Sequence, residues 1–232
     1  MRTVARPTSL IAALLATVGL GCGQLKLPVD LALEEPSELT LELPTETATT
    51  SLVGGVSTTI KADLGLLKLL GALVGKALVA NIQVDDVLIA GTSVSILGGF
   101  INTGTICLFQ DPEVPSSGSA AFNILLGTAA FDMSLNSLLA VTDPVLSGLV
   151  GGPQPFSQDV SAVVPLSLAD LVGIIAGSGG GLAITQEIDT VFGPVPIIGE
   201  IHVTGALTLA STDTPPSDPL LDECADFIAS LP

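Results

Sequence analysis

No tryptophan and no tyrosine occur in the 232 residues, and seven phenylalanines are the whole aromatic content, although mean hydropathy is +0.73. The hydrophobicity is therefore aliphatic, carried by Leu, Val, Ile and Ala. A transmembrane β-barrel carries aromatic girdles and a polar lumen, so this composition argues against one and for a globular domain with a large aliphatic interior. Cations are equally scarce: six Lys and Arg stand against twenty-three acids, for a net charge of −17. Both arginines, Arg2 and Arg6, lie in the first seven residues, which leaves Lys26, Lys61, Lys68 and Lys76 for the rest. Such a balance repels nucleic acid and anionic lipid surfaces, and excludes nucleic acid as a partner.

Catalytic groups are sparse as well. His202 is the one histidine, placed by the alternation around it on a solvated strand face, and no Arg, Tyr or Trp follows residue 21. The usual bases and anion clamps are missing, so the reading is a protein that is not an enzyme and takes no cofactor. The pairs Asp85-Asp86 and Glu34-Glu35 are adjacent, and neighbours on a strand point to opposite faces; no calcium-loop spacing of oxygen ligands appears either. The cluster at 177–181 has no Lys-Ser/Thr after it and precedes a strand, so it is not a phosphate loop. No cysteine and histidine spacing suits zinc.

What is present is most informative at the start. Residues 1–7 are basic, and 9–20 form an apolar run too short to span a bilayer, which is the layout of a secretory signal peptide. The run ends in Gly19-Leu20-Gly21-Cys22-Gly23. This junction resembles the lipobox of bacterial lipoproteins, where small residues precede a cysteine whose thiol receives a diacylglycerol before cleavage ahead of it. Gly21 and Cys22 fit; Gly19 stands where the family usually has Leu. The resemblance covers about the first tenth of the chain and implies lipid attachment at Cys22 and an extracytoplasmic, lipid-anchored place in the cell envelope, with the outer membrane as the expected membrane and the periplasm as the compartment. Ordinary secretory cleavage, giving a secreted protein, is the other reading of the same small residues. The expected organisation is a signal peptide at 1–21, a Glu/Pro/Thr-rich tether at 22–50 and a single domain at 51–232.

Three cysteines are an awkward number for an exported chain. With Cys22 acylated, Cys107 and Cys224 are free to form one disulfide closing a long loop, or else sit as two separate core thiols.

Residues 63–80 read as one hydrophobic helix with Asp63 as cap and Lys61, Lys68 and Lys76 on a single arc, nearly enclosed by sheet or lipid. Leu66, Leu70, Leu73, Gly71 and Gly75 on it are the candidate contacts for an apolar ligand, the two glycines allowing close approach. From residue 81 the period becomes two, with short strands expected at 82–84, 87–90, 94–97 and 100–109, and a turn at Asp85-Asp86. A hairpin is expected at 122–133, short helices at 134–141, 144–150 and 167–176, and strands at 160–166, 182–191 and 197–210. Asp218 and Pro219 open a final helix whose apolar face holds Leu220, Cys224, Phe227, Ile228 and Leu231. The expected fold class is α+β, mainly an antiparallel sheet with a few packed hydrophobic helices. Two functions follow from it: a structural or protein-interaction module of the envelope, working through its acidic outside on a cationic protein partner, or a carrier or sensor of an apolar small molecule held in an aliphatic cavity.

Overall fold

The computed structural model describes residues 24–43, 46–63, 65–166, 184–191, 200–210 and 218–231. Its strands are β1 (Gln24–Leu43), β2 (Glu46–Asp63), β3 (Leu78–Gly91), β4 (Ser95–Ile96), β5 (Ile101–Asn102), β6 (Ile106–Gln110), β7 (Ser117–Asn123), β8 (Thr128–Val141), β9 (Gln154–Pro165), β10 (Ile184–Val191) and β11 (Glu200–Ala210). Three helices lie among the described residues: α1 (Leu66–Leu73), α2 (Pro144–Val150) and α3 (Pro219–Ser230).

One large antiparallel sheet dominates, so the α+β expectation is corrected: the chain folds mostly as sheet, with short helices at its margins. Two stretches expected to be helical account for the difference. Of 63–80, only α1 is helical; Gly75 turns the chain at φ +94°, and Leu78 already belongs to β3. Residues 134–141 are the second half of β8, paired to β6 on one side and β9 on the other. The helix expected at 167–176 lies outside the described residues, as do residues 1–23. The stretch expected to be a tether is largely β1, a 20-residue strand hydrogen-bonded to both β2 and β11. Its prolines are tolerated for local reasons. Pro36 sits where the register of both ladders shifts, between Glu34 and Glu38 toward β11 and between Ala32 and Glu38 toward β2, and Pro28 precedes the point at which pairing with β11 begins.

The strand order is β10-β11-β1-β2-β3, then one position shared by β6 and β7, then β8 and β9. Residues 88–91 of β3 pair with β6 and residues 78–83 pair with β7, while β8 spans both. Ser116 bridges the break between them: its backbone carbonyl accepts from Val84 N, and its hydroxyl accepts from Asn136 N at 2.7 Å and donates to Asn136 O at 3.0 Å. Opposite the break, Asp85-Asp86 is not a turn. It is a bulge within β3, since Ser57 faces Asp86 and Thr58 faces Val84. At the two ends of the order β9 and β10 come into contact, so the sheet curls back on itself through eight strand positions.

The concave face is aliphatic. Val29, Val56, Leu78, Ala80, Ile82, Val84, Val87, Ala120, Phe122, Ala129, Met133 and Val164 form one cluster, with Phe122 and Phe131 edge to face at 6.2 Å. Ile89 links it to a second group containing Leu39, Leu52 and Ile106. On β11 the register sets Leu207, Val203 and Ile201 opposite Leu33, Leu39 and Leu41 of β1, and sets His202 opposite Thr40. The sheet has two ends. Gln24, Asp63, α1 and the 124–127 turn mark the α1 end; the β4–β5 hairpin and α2 mark the other.

Helix α3 packs against the convex face. Asp218 caps it by accepting from Leu220 N at 2.9 Å, and Leu220, Leu221, Phe227 and Ile228 cover Ala90, Phe109 and Ala140. Cys107 and Cys224 form a disulfide across a sequence separation of 117, and both are fully buried.

Candidate functional site

Cys22 lies outside the described residues, two positions before β1 begins. The disulfide partners are brought together as described, and they hold α3 on the half of the convex face nearer α2.

The five candidate ligand contacts on and after α1 are placed as follows. Leu70 is half exposed, Gly71 is half-buried, and Gly75 lies beyond the helix in an exposed turn. Leu66 and Leu73 stand on the helix, their side chains outside the description. The enclosure expected for this helix does not occur: Leu67 and Val74 are 85% and 75% exposed, and Ala72 is what α1 contributes to the core. An eight-residue helix crossing the end of a sheet can bury one narrow stripe, and Leu67 and Leu70 fall outside it. The lysine arc dissolves likewise, because Lys61 is on β2, donating to Gln83, while Lys68 is on α1, where it pairs with Asp63 at 2.7 Å.

Elsewhere the convex face is a lattice of hydroxyls and carboxylates that the sequence did not announce. Ser57 donates to Asp30 at 2.8 Å, Thr59 donates to Asp85, Ser134 donates to Asp159, and Ser161 donates to Asp132 at 3.0 Å. On β8 and β9 these bonds alternate in direction on adjacent rungs, because Ser134 faces Asp159 and Asp132 faces Ser161. Ser157 continues the row by donating to the Asn136 side chain at 2.7 Å. Each bond fixes a carboxylate without neutralising it. Alternation along each strand signals which residues face out, but the pairing depends on register, which no short motif encodes.

Two acids have shifted acidities. The Lys68 ammonium beside Asp63, with a further hydrogen bond from Gly65 N, holds that carboxyl below its usual range. Partial burial in the bulge pushes Asp86 up, opposed by a weaker hydrogen bond from Val87 N. A carboxyl whose folded value is raised keeps its proton to a higher pH than in the unfolded chain, so folding loses stability as pH rises through that range. Asp86→Asn removes the ionisation. The variant is expected to melt level with the parent in acid, where Asp86 is protonated in both states, and above it at pH 7, a difference read by thermal denaturation at the two pH values.

Among the described residues no three His, Cys, Asp or Glu side chains are grouped to hold a metal ion, and no helix is long and apolar enough to cross a membrane. No family model matches the chain, and no curated protein and no solved structure matches it.

Proposed function

We propose that the protein is a lipid-anchored envelope lipoprotein whose folded domain is a structural or protein-interaction module. The observation that carries this reading is the contrast between the two faces of the sheet. Inside, Ala80, Ala120 and Ala129 are 1%, 0% and 0% exposed and Val87 is 2% exposed, so a solvent-sized void does not adjoin them. A carrier of an acyl chain needs lining residues that such a void would reach. Outside, the hydroxyl-fixed carboxylates of β8 and β9 offer an ordered anionic lattice suited to a cationic protein partner. The disulfide belongs to the same reading, since oxidising compartments favour such bonds.

Intact mass of the native, detergent-extracted protein before and after organic extraction tests it. The expected result is a chain beginning at Cys22 with acyl groups attached and no further extractable mass. An extractable apolar molecule would transfer the function to ligand carriage, for which a curled eight-position sheet is the right size. An unmodified Cys22 would remove the anchor.

A further inference from the structure

We infer that the α1 end of the sheet is a membrane-contacting face, on which the domain rests directly against anionic bilayer lipid. This rests on the lipoprotein reading for the anchor, but the surface itself is independent of it.

Three observations converge on that end. The first is an apolar rim. Leu67 and Val74 from α1 are 85% and 75% exposed, and Leu125 and Leu126 from the 124–127 turn are 65% and 74% exposed. The two groups adjoin, since a Cβ on Gly75 would stand 3.4 Å from Leu125 Cδ1. The rim continues onto the convex face as one row, in which Val79 faces Ala121, Ala121 faces Ala130, and Ala130 faces Val163. One rung further along, the row becomes Asn81, Ser119, Asp132 and Ser161, so on these strands the apolar row stops near the end; Leu97, Phe100, Val145 and Leu149 are exposed at the α2 end as well, so charge is what distinguishes the two ends. Contiguous exposed apolar surface of this kind marks a contact with protein or membrane.

The second observation is charge. All four cations remaining after residue 21 gather here: Lys26 and Lys61 face each other across β1 and β2, Lys68 is on α1 and Lys76 follows it. Like charges directly opposite on a sheet are unfavourable by themselves, but beside anionic headgroups they are attractive. Lys68 is paired with Asp63 at this end, so the attraction rests on Lys26, Lys61 and Lys76; elsewhere the described surface carries acids without cations and would be repelled, which fixes the orientation. Apolar side chains ringed by lysines whose stems reach back to the headgroups are the arrangement of an interfacial surface.

The third is where the chain leads. β1 starts at this end with Gln24 opposite Asp63, and Cys22 is two residues upstream, within about 7 Å by chain reach. An acyl group there has no spacer. It would hold this end, and not the α2 end, against the lipid.

The chain has no Trp, so one introduced Trp is a sole strong reporter. Full-length Leu126→Trp, Leu67→Trp and, as a control at the opposite end, Phe100→Trp replace exposed residues, Phe100 being 94% exposed. Each is placed in vesicles of phosphatidylethanolamine with a minority of phosphatidylglycerol and a spin-labelled acyl chain. The two ends are on the order of 40 Å apart along the strands, well beyond an interfacial layer. Quenching at Leu126→Trp and Leu67→Trp is expected to exceed that at Phe100→Trp by about threefold or more. Equal quenching, or stronger quenching at Phe100→Trp, overturns the face. So does a blue-shifted Leu126→Trp before lipid is added, which would mean that residues 167–183 or a second copy cover the rim. The mass at Cys22 separates the two claims: acylated protein with an unquenched rim keeps the anchor and refutes the face, while unmodified Cys22 with a rim quenched on mixing refutes the anchor and keeps the face.

Discussion

Replacing Cys107 and Cys224 together by Ala is expected to lower unfolding free energy by about 4–5 kcal/mol, through restoring to the unfolded chain the freedom that the link removes. The bridge spans 117 residues, so the entropy at stake is near the upper end for a single disulfide. A second effect acts in the same direction. Helix α3 is 12 residues long and would be marginal alone; it is held by one apolar stripe and by the bond. Without the bond, its departure uncovers Ala90, Phe109 and Ala140 on the convex face. At this chain length a loss of about 4 kcal/mol moves the melting point down by roughly 8–16 °C. Circular dichroism is the natural probe, since neither Trp nor Tyr is present. A loss under about 1 kcal/mol would mean that α3 docks on its own and that the bond is incidental to stability.

Gly54→Ala is expected to cost about 3–5 kcal/mol, and the cause is backbone and not side chain. Gly54 lies in β2 at φ +126°, a conformation rarely adopted by other residues. A Cβ there would stand 2.2 Å from the carbonyl oxygen of Leu88 and 2.9 Å from Cα of Ile89, both on the neighbouring strand. Relief requires parting β2 from β3 beneath α3, whose Leu221 lies next in line. Gly148→Ala is the counterpart: it adds the same methyl in the interior of α2, where nothing lies within 4 Å, and should stabilise by up to about 1 kcal/mol. Denaturant unfolding of the two variants side by side tests the claim, and a Gly54→Ala curve superimposed on the parent would dismiss it.

Legibility of the fold followed whether one face of an element or both were covered. α3 was readable in detail, because Asp218, Pro219 and a single apolar stripe are local signals and one side of the helix meets solvent. The second half of β8 was misread as helix for the opposite reason. At Leu138 and Ala140 it meets α3 and its neighbours, at Leu139 and Val141 it meets the interior, and a strand covered on both faces loses its alternation. Asp85-Asp86 carries a turn composition, yet the ladder on both sides of it holds, and the pair is absorbed as a bulge. β1 was obscured by its prolines and glutamates, of which Glu35 and Pro36 are absorbed where the register shifts and Pro28 where only β2 is paired. Of the candidate sites, the cysteine pairing could be read from number and burial pattern. The exposed rim and the lysine cluster could not, because Lys26 and Lys61 are thirty-five residues apart in sequence and become neighbours only when β1 pairs with β2.

The pairing of β1 with β11 also sets an order in time. A chain made from its first residue completes β1 when about forty residues exist, but the strand that covers its outer edge is finished only at Ala210. Until then β1 and β2 can zip as a hairpin while the far edge of β1 stays open to any other strand. Closure thus waits for residue 210, with only α3 and Cys224 of the described structure still to be made. A ribosome stalled between β9 and β11 would release a nearly complete sheet whose exposed edge seeks a partner, so truncation after residue 165 should yield not a smaller domain but an aggregating one.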